Sequence, residues 1–416
     1  MKMFFYILKD KILISRAKYK GLNEISENEA KENKGIIYAL TQINPLKSRK
    51  SFSITDPSLM FLNEEGIHLL QKPQKINYDL PIWLKERIKT KRVTSLNTKY
   101  PNWQDILTYK FPSRWKINIG GLGDVGGILL TGLKLLGGRY IKSIGIYDKN
   151  INITKRWELE ANQIFCPFTA QIYPEVYALG EKEVFNCNMF VFCATIGVPP
   201  LGEEQKDVRM RQFEGNSKII SDYARKAREG SFKGIFAVVS DPVDLLCKSV
   251  FLASNKNKNG EFDFKGLASE QIRGYGLGVM HARAVYYSKR LSENIKYNQE
   301  GRAFGPHGQG LIIANSIKKY NEKLAEILTN HTLKANLDIR KTGFKPYVAP
   351  ALSSGSYPLI ATISGKWHYS ATFLGGVFMG AKNRLQKSGI EIERLDLPEN
   401  LIEKIRASYR ELGSLL

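Results

Sequence analysis

The 416-residue chain is 43% hydrophobic and 25% charged with no low-complexity tract, which allows two or three globular domains and excludes a disordered or fibrous chain. No apolar run reaches bilayer-spanning length, so no membrane partner is expected. The net charge of +22 raises nucleic-acid binding, but residues 1–115 hold 21 Lys/Arg against 11 Asp/Glu and the densest cluster, KERIKTKR (85–92), has no interleaved aromatics; a solvated basic face, or attraction of anionic small molecules, accounts for it without nucleic acid.

The N-terminal run MKMFFYILKDKILIS is broken by Lys9, Asp10 and Lys11 and lacks a small-residue cleavage site, so it reads as a hairpin and not as a signal peptide. Cys166, Cys187, Cys193 and Cys247 lie in apolar surroundings and form no C-x-x-C pair. That pattern fits buried thiols in a reducing compartment, with no disulfide framework and no metal site, and a cytoplasmic location is expected.

Residues 1–112 read as short strands (FFYIL, KILIS, GIIYAL, SFSIT, GIHLL) separated by turn signals, then a helix at PIWLKERI, then a linker rich in proline and aromatics (TKYPNW, KFPSRW). This is a small, mostly-β N-terminal domain of unknown role. From Lys116 strands and helical stretches alternate, the signature of an α/β fold with a doubly wound parallel sheet of Rossmann type, here residues 113–250.

KINIGGLGDVGGILLTGLKLLGG (116–138) is an apolar strand, a glycine turn and an amphipathic helix. Gly121, Gly123 and Gly126 give G-x-G-x-x-G in that context. The first glycine makes the turn, the second lets backbone approach a pyrophosphate, and the third packs helix on strand. The helix N-terminus, at Asp124 and Val125, offers free N–H groups to the anion. The next strand, YIKSIGIYD, ends at Asp148, about 20 residues on, where an acceptor for a ribose hydroxyl belongs. A carboxylate there repels a 2′-phosphate, so the expected cofactor is NAD. Strands FVFCATIG (190–197) and FAVVSDPVDLL (236–246) continue the sheet. Ligands sit beyond the carboxyl ends of such strands, which places Thr195, Gly197, Val239, Ser240 and Asp241 at the nicotinamide end.

His307, one of five histidines, stands in FGPHGQG (304–310), where three glycines and a proline prevent regular structure. A histidine held so is a candidate proton carrier. These segments, taken together, resemble the lactate/malate dehydrogenase family over roughly residues 115 to 416. The glycine turn with Asp148 matches its cofactor half. VVSDPVD resembles its S-N-P-V-D segment, GYGLGVMHARAVYYS its G-x-x-L-D-x-x-R segment, and GPHGQ its G-x-H-G-D segment. GGVFMGAKNRLQ and LPENLIEKIRASYREL resemble its closing strands and last helix.

The resemblance implies an α+β substrate domain at residues 251–416, homo-oligomeric assembly, and hydride transfer between NAD and C2 of a 2-hydroxy or 2-oxo acid. It implies His307 as proton donor and acceptor, Arg283 as a two-point clamp on the substrate carboxylate, Arg209 (with Arg211 as competitor) polarising the carbonyl from a closing loop, and Asn216 touching the cofactor. In that loop, 197–209, Pro199, Pro200 and Leu201 stand where malate-type enzymes meet a second carboxylate, so a simple dicarboxylate is disfavoured, although Lys206 could reach in. The small side chains of PALSSGSYPLI (350–360) suggest room for a substrate larger than pyruvate.

Two positions depart from the family pattern. The acid that orients the histidine aligns with Met280, and the asparagine that donates toward the substrate oxygen aligns with Asp241. The changes read as coupled: Asp241 supplies the carboxylate that Met280 withdrew, pairing with His307 or with a cationic substrate group, as a 2-oxo acid carrying an amino group or an imine would provide. The alternatives are a catalytically weakened NAD-binding protein whose N-terminal domain serves a partner, and a nucleic-acid binder that a salt-dependent gel shift would reveal.

Overall fold

The structure is a computed structural model and describes residues 2–73, 79–196, 208–291 and 296–415, with backbone alone at 208–211. The N-terminal hairpin forms where the sequence places it. β1 (Phe4–Leu8) and β2 (Lys11–Ser15) pair antiparallel about Lys9 and Asp10, both at positive φ, the backbone that a tight two-residue hairpin turn requires. β3 (Asn23–Ile25), α1 (Glu27–Glu32), β4 (Ile37–Thr41), β5 (Ser51–Ser53), α2 (Ile82–Lys89), β6 (Val93–Asn97) and α3 (Asp105–Thr108) complete the unit. Its six strands run β3-β1-β2-β4-β6-β5, with β2, β4 and β6 parallel at the centre.

Both faces of this sheet are covered, and the two-residue period of a strand sorts the side chains. Tyr6, Leu13, Tyr38, Leu40 and Leu96 go to a small core with Leu107, while Phe5, Ile12, Ile14, Ile37, Ala39 and Val93 go to a large one. GIHLL, expected as a strand, is instead a short 3-10 turn, Ile67–Leu70. Leu69 and Leu70 are adjacent and both buried, whereas strand geometry would send them to opposite faces. Nor is TKYPNW a spacer. Tyr100 is 1% exposed, its hydroxyl donates to the carbonyls of Pro45 (3.3 Å) and Ser48 (2.9 Å), and its ring meets Phe264 edge-on.

The second sheet begins at β7 (Trp115–Gly120). It continues through α4 (Asp124–Leu136), β8 (Ile141–Tyr147), α5 (Ile151–Asn162), β9 (Glu175–Ala178), β10 (Met189–Phe192), α6 (Val208–Glu229), β11 (Ile235–Val238), α7 (Val243–Ser254) and β12 (Ile272–Gly274). Their order, β9-β8-β7-β10-β11-β12, all parallel, is that of a dinucleotide-binding sheet whose order reverses between β7 and β10. The strands read INI, MFVF and IFAV because helices cover both faces.

Beyond it come α8 (Leu277–Leu291), α9 (Tyr297–Glu300), the hairpin β13 (Arg302–Phe304) with β14 (Ile312–Ala314), α10 (Glu322–Arg340) and α11 (Tyr357–Ile363). β15 (His368–Leu374), β16 (Val377–Gln386) and β17 (Gly389–Ile392) extend the sheet antiparallel from β12 to nine strands, and α12 (Glu399–Ser414) closes the chain.

The N-terminal sheet shares its large core with this half: Phe5, Ile14 and Phe52 belong to one apolar cluster with Phe373, Phe378 and Leu401. Polar ties reinforce it. Glu270 accepts from the backbone N–H of Lys50 and Ser51 (3.0 Å each), and Ser388 meets Ser53 (2.7 Å) and accepts from Thr94 (2.8 Å). Cys166 departs from the expected burial; it lies exposed between α5 and β9. Cys193 and Cys247 do sit among apolar neighbours, and burial pushes the Cys193 thiol up to about 12. Among the described residues no helix is long and apolar enough to cross a membrane.

Candidate active site

The glycine turn after β7 is built as its spacing demands. Gly121 has φ +94°, and a Cβ there would lie 2.6 Å from the backbone nitrogen of Ala194. At Gly126 a Cβ would come within 2.0 Å of the Gly121 carbonyl oxygen, so only glycine lets α4 seat this close. Gly123 differs: its φ is ordinary and nothing lies within 4 Å of a built Cβ. The space in front of the α4 N-terminus is therefore open, and a side chain at Gly123 would enter it. This is the geometry a pyrophosphate needs.

Asp148 follows β8 and ties it to the turn: one carboxylate oxygen accepts from Leu122 N–H (2.8 Å) and the other from Asn150 N–H (3.0 Å). Asp124 starts α4 with Lys345 Nζ 3.9 Å away, and Val125 packs on the core beneath.

Past β10, Ala194 and Thr195 approach the end of β11. Ser240 Oγ donates to Ala194 O (2.7 Å) and Val239 N–H to Phe192 O (2.9 Å). Asn216, on α6, is fully buried and joins the two strand ends. Its Oδ1 accepts from Ile196 N–H (2.8 Å), and its Nδ2 donates to the Asp241 carbonyl (2.7 Å) and Thr195 Oγ1 (3.1 Å). The amide thus ties the ends of β10 and β11 together, holding Thr195 and Ile196 to Asp241. Gly197, Pro199, Pro200, Leu201 and Lys206 lie outside the described residues, as do the side chains of Arg209 and Arg211.

His307 follows β13 in a backbone that turns sharply: Gly305, Gly308 and Gly310 have φ of +92°, +142° and +84°. The chain passes so near α8 that a Cβ at Gly276 would lie 2.7 Å from the Cβ of His307. Its imidazole Nδ1 is 2.8 Å from Asp241 Oδ1, and its backbone N–H donates to Asp244 Oδ2 (3.2 Å). The imidazole is 12% exposed and the Asp241 side chain 43%, so the carboxylate opens toward solvent and the ring sits behind it.

Arg283 is buried on α8. Its Nη1 faces Met280 Sδ (3.6 Å) and its Nη2 donates to Asn336 on α10. Burial lowers the pKa of its guanidinium and the Asp241 charge opposes that. His307, Asp241 and Arg283 are therefore brought together, with Asp241 acting on both neighbours. Asp244 and Asn336 were not anticipated. Asp244 was readable from its place in D-P-V-D, whereas Asn336, far along the chain, carries no local signal.

PALSSGS forms a seven-residue π-helical segment, Pro350–Ser356, in which Ala351, Ser354, Gly355 and Ser356 are buried in packing. Ser354 accepts from Val279 N–H and donates to Gly276 O, and Ser356 donates to Leu129 O on α4. These contacts lock α8 and α4 together, while Ser353, Tyr357, Pro358 and Ile360 of the same stretch form one wall of a cleft on the other side of α8. That face of α8 turns His281 toward the cleft, which is about 470 Å³ and lined also by Arg302, Trp367, His368 and Lys382. Burial, with nearby cations, holds His281 at about 4 and His368 at about 3.

No family model matches the chain. By sequence it is 27% identical over 203 residues to an L-lactate dehydrogenase of Treponema denticola, a match covering 49% of this chain and 58% of that enzyme. It is 23% identical over 322 residues to a probable malate dehydrogenase of Campylobacter jejuni, covering 72% and 99%. Among solved structures, a minor L-lactate dehydrogenase of Enterococcus mundtii superposes with a TM-score of 0.59 at 18% identity, covering 73% of this chain and 98% of that one. A malate dehydrogenase of Archaeoglobus fulgidus in complex with NADH gives 0.57 at 19%, covering 72% and 97%. The chain has the lactate/malate dehydrogenase fold and resembles that family in sequence.

Against the family pattern the two departures now have a geometry. Met280 is buried with its sulfur on Arg283, and no carboxylate stands at that place on α8. The acid beside the histidine comes instead from Asp241, at the end of β11.

Proposed function

We propose that the chain is an NAD-dependent dehydrogenase acting at C2 of a small 2-hydroxy or 2-oxo acid, in the manner of its lactate and malate dehydrogenase relatives. The observation that carries this reading is the Asp241–His307 pair, a titratable base with its orienting acid at the carboxyl end of a dinucleotide-binding sheet.

Gly121, Gly123 and Gly126 and the α4 N–H groups at Asp124 and Val125 would hold the pyrophosphate. Asp148 would take the ribose hydroxyls, and Thr195, Gly197, Val239 and Ser240 would border the nicotinamide. When bound, the nicotinamide supplies the hydride chemistry. His307 holds the proton exchanged with the substituent on C2. Asp241 fixes the ring through Nδ1, as an acid does for a catalytic histidine elsewhere. Arg283 would bind the substrate carboxylate through its planar fork, and Arg209, at the start of α6, would act on the substituent at C2. Homo-oligomeric assembly, which the resemblance implies, and a cytoplasmic location, expected from the sequence, belong to the same proposal.

The test is a panel of 2-oxo acids with NADH, covering amino-bearing, branched and dicarboxylic members, followed by absorbance loss at the reduced nicotinamide band. Oxidation of NADH by one class supports the reading and names the substrate. Silence across the panel with NADH tightly bound supports a weakened, non-catalytic binder, the role that Met280 on its own would favour.

A further inference from the structure

The charges around the reacting carbon point to a narrower substrate. An enzyme that reduces a carbonyl must stabilise negative charge growing on oxygen, and does so with donors and cations. Here the group beside His307 is a carboxylate, Asp241, 2.8 Å from the imidazole and 43% exposed. Behind it Asp244 accepts from the His307 backbone N–H. The acid that the family places out of the substrate's way, on α8, is replaced by Met280. The acid paired with the histidine thus comes from the end of β11, and its part-exposed carboxylate borders the side of the site that is open to solvent. An anion there disfavours a carbonyl or alkoxide oxygen and favours an ammonium or an iminium nitrogen.

We infer that Asp241 is a specificity residue that selects a positively charged nitrogen on C2, so that the site takes a 2-amino acid and its iminium partner. This rests on the dehydrogenase reading and deepens it. In the oxidative direction the ammonium gives one proton to His307. The C2–H bond breaks as a hydride that reduces oxidised nicotinamide, and the nitrogen lone pair forms the C2=N bond. The products are an iminium acid, NADH and one proton on the imidazole. The positive charge that remains on nitrogen faces Asp241, while Arg283 holds the carboxylate. Hydrolysis of a freed iminium to oxo acid and ammonium is a separate step that needs only water.

The test is a binding comparison in the NADH complex, where neither reduced ligand can react. Matched pairs with the same side chain (alanine and lactate, valine and 2-hydroxyisovalerate, phenylalanine and phenyllactate) are titrated calorimetrically into the full-length chain with saturating NADH. The amino acid of at least one pair is expected to bind about tenfold more tightly than its hydroxy acid. Asp241→Asn should erase that preference and Asp241→Glu should keep part of it, with NADH affinity reporting that each variant is folded. Equal or tighter binding of every hydroxy acid overturns the inference and leaves the dehydrogenase reading standing. So does binding of neither member of any pair to an NADH-loaded protein. Failure to bind NADH overturns the dehydrogenase reading itself, and this inference with it.

Discussion

Asn216→Ala tests whether one buried amide holds the two halves of the site in register. The side chain is fully buried and satisfies the Ile196 N–H (2.8 Å) and the Asp241 carbonyl (2.7 Å). Removing it leaves two backbone groups without their partner, and an unsatisfied buried group costs about 1–3 kcal/mol. Ile196 is exposed, so water can reach its N–H, and the lower half of the summed range applies: a loss of about 2–4 kcal/mol. The assay is urea unfolding of wild type and variant, read as a midpoint shift at constant slope. Asn216→Asp is the control; it keeps the acceptor but sets a carboxylate against the Asp241 carbonyl, and should be at least as damaging. A loss below about 1 kcal/mol for Asn216→Ala, the size of an ordinary hydrogen bond, would refute the linking role.

Two glycines of the same turn should behave in opposite ways. Gly121→Ala meets both a positive φ and the Ala194 backbone and should destabilise the fold by more than about 2 kcal/mol, whereas Gly123→Ala should unfold within about 0.5 kcal/mol of wild type yet bind NADH at least tenfold more weakly; chemical denaturation and cofactor fluorescence separate the two. His307→Asn should lower turnover of the true substrate by about 10²–10⁴ while NADH affinity stays within about threefold, as steady-state kinetics and fluorescence titration will show. Acid should destabilise the protein through its buried histidines. His368 and His281 fall from 6.5 in the unfolded chain to about 3 and about 4 when folded. Below pH 6.5 the unfolded state therefore binds protons that the native state refuses. Stability present above that pH drains away by up to about 1.4 kcal/mol per pH unit for each group. Unfolding measured at pH 6.5, 5.5 and 4.5 should show this slope, and His368→Gln should flatten it.

The dinucleotide sheet was legible because its constraints are local. A strand, three glycines at fixed offsets and an acid after the next strand determine one another, and Gly121 and Gly126 sit against backbone that no Cβ could share. The Asp241–His307 pairing was legible as a compensation, since a histidine that lost one carboxylate faced a site that had gained another. Other features were not readable, because nothing local encodes them. VTSLN was not marked as β6 although all five of its residues are buried; its Thr94 and Asn97 side chains are satisfied by distant partners, not by an alternating pattern. The parallel pairing of β2, β4 and β6 depends on crossovers through α1 and α2, and strands of three to five residues do not announce their direction. The packing role of Ser354 and Ser356 was not readable because the elements they join, α8 and α4, lie far away in sequence.

The shared core also fixes an order of assembly. One face of the N-terminal sheet closes on residues 4–107 alone, around Tyr6, Leu13, Tyr38, Leu96 and Leu107. The other face is completed by β15, β16, β17 and α12, and the Ser53–Ser388 contact joins residues 335 apart. At about 5–20 residues per second, that separation leaves roughly 20–70 s of synthesis before the partners exist. Throughout that time Ile14, Ala39 and Phe52 present an uncovered apolar surface on an otherwise finished sheet. The nascent chain is thus a half-closed molecule for most of its synthesis and is vulnerable to association with its neighbours on the same message. A premature stop anywhere before β15 would make that state permanent.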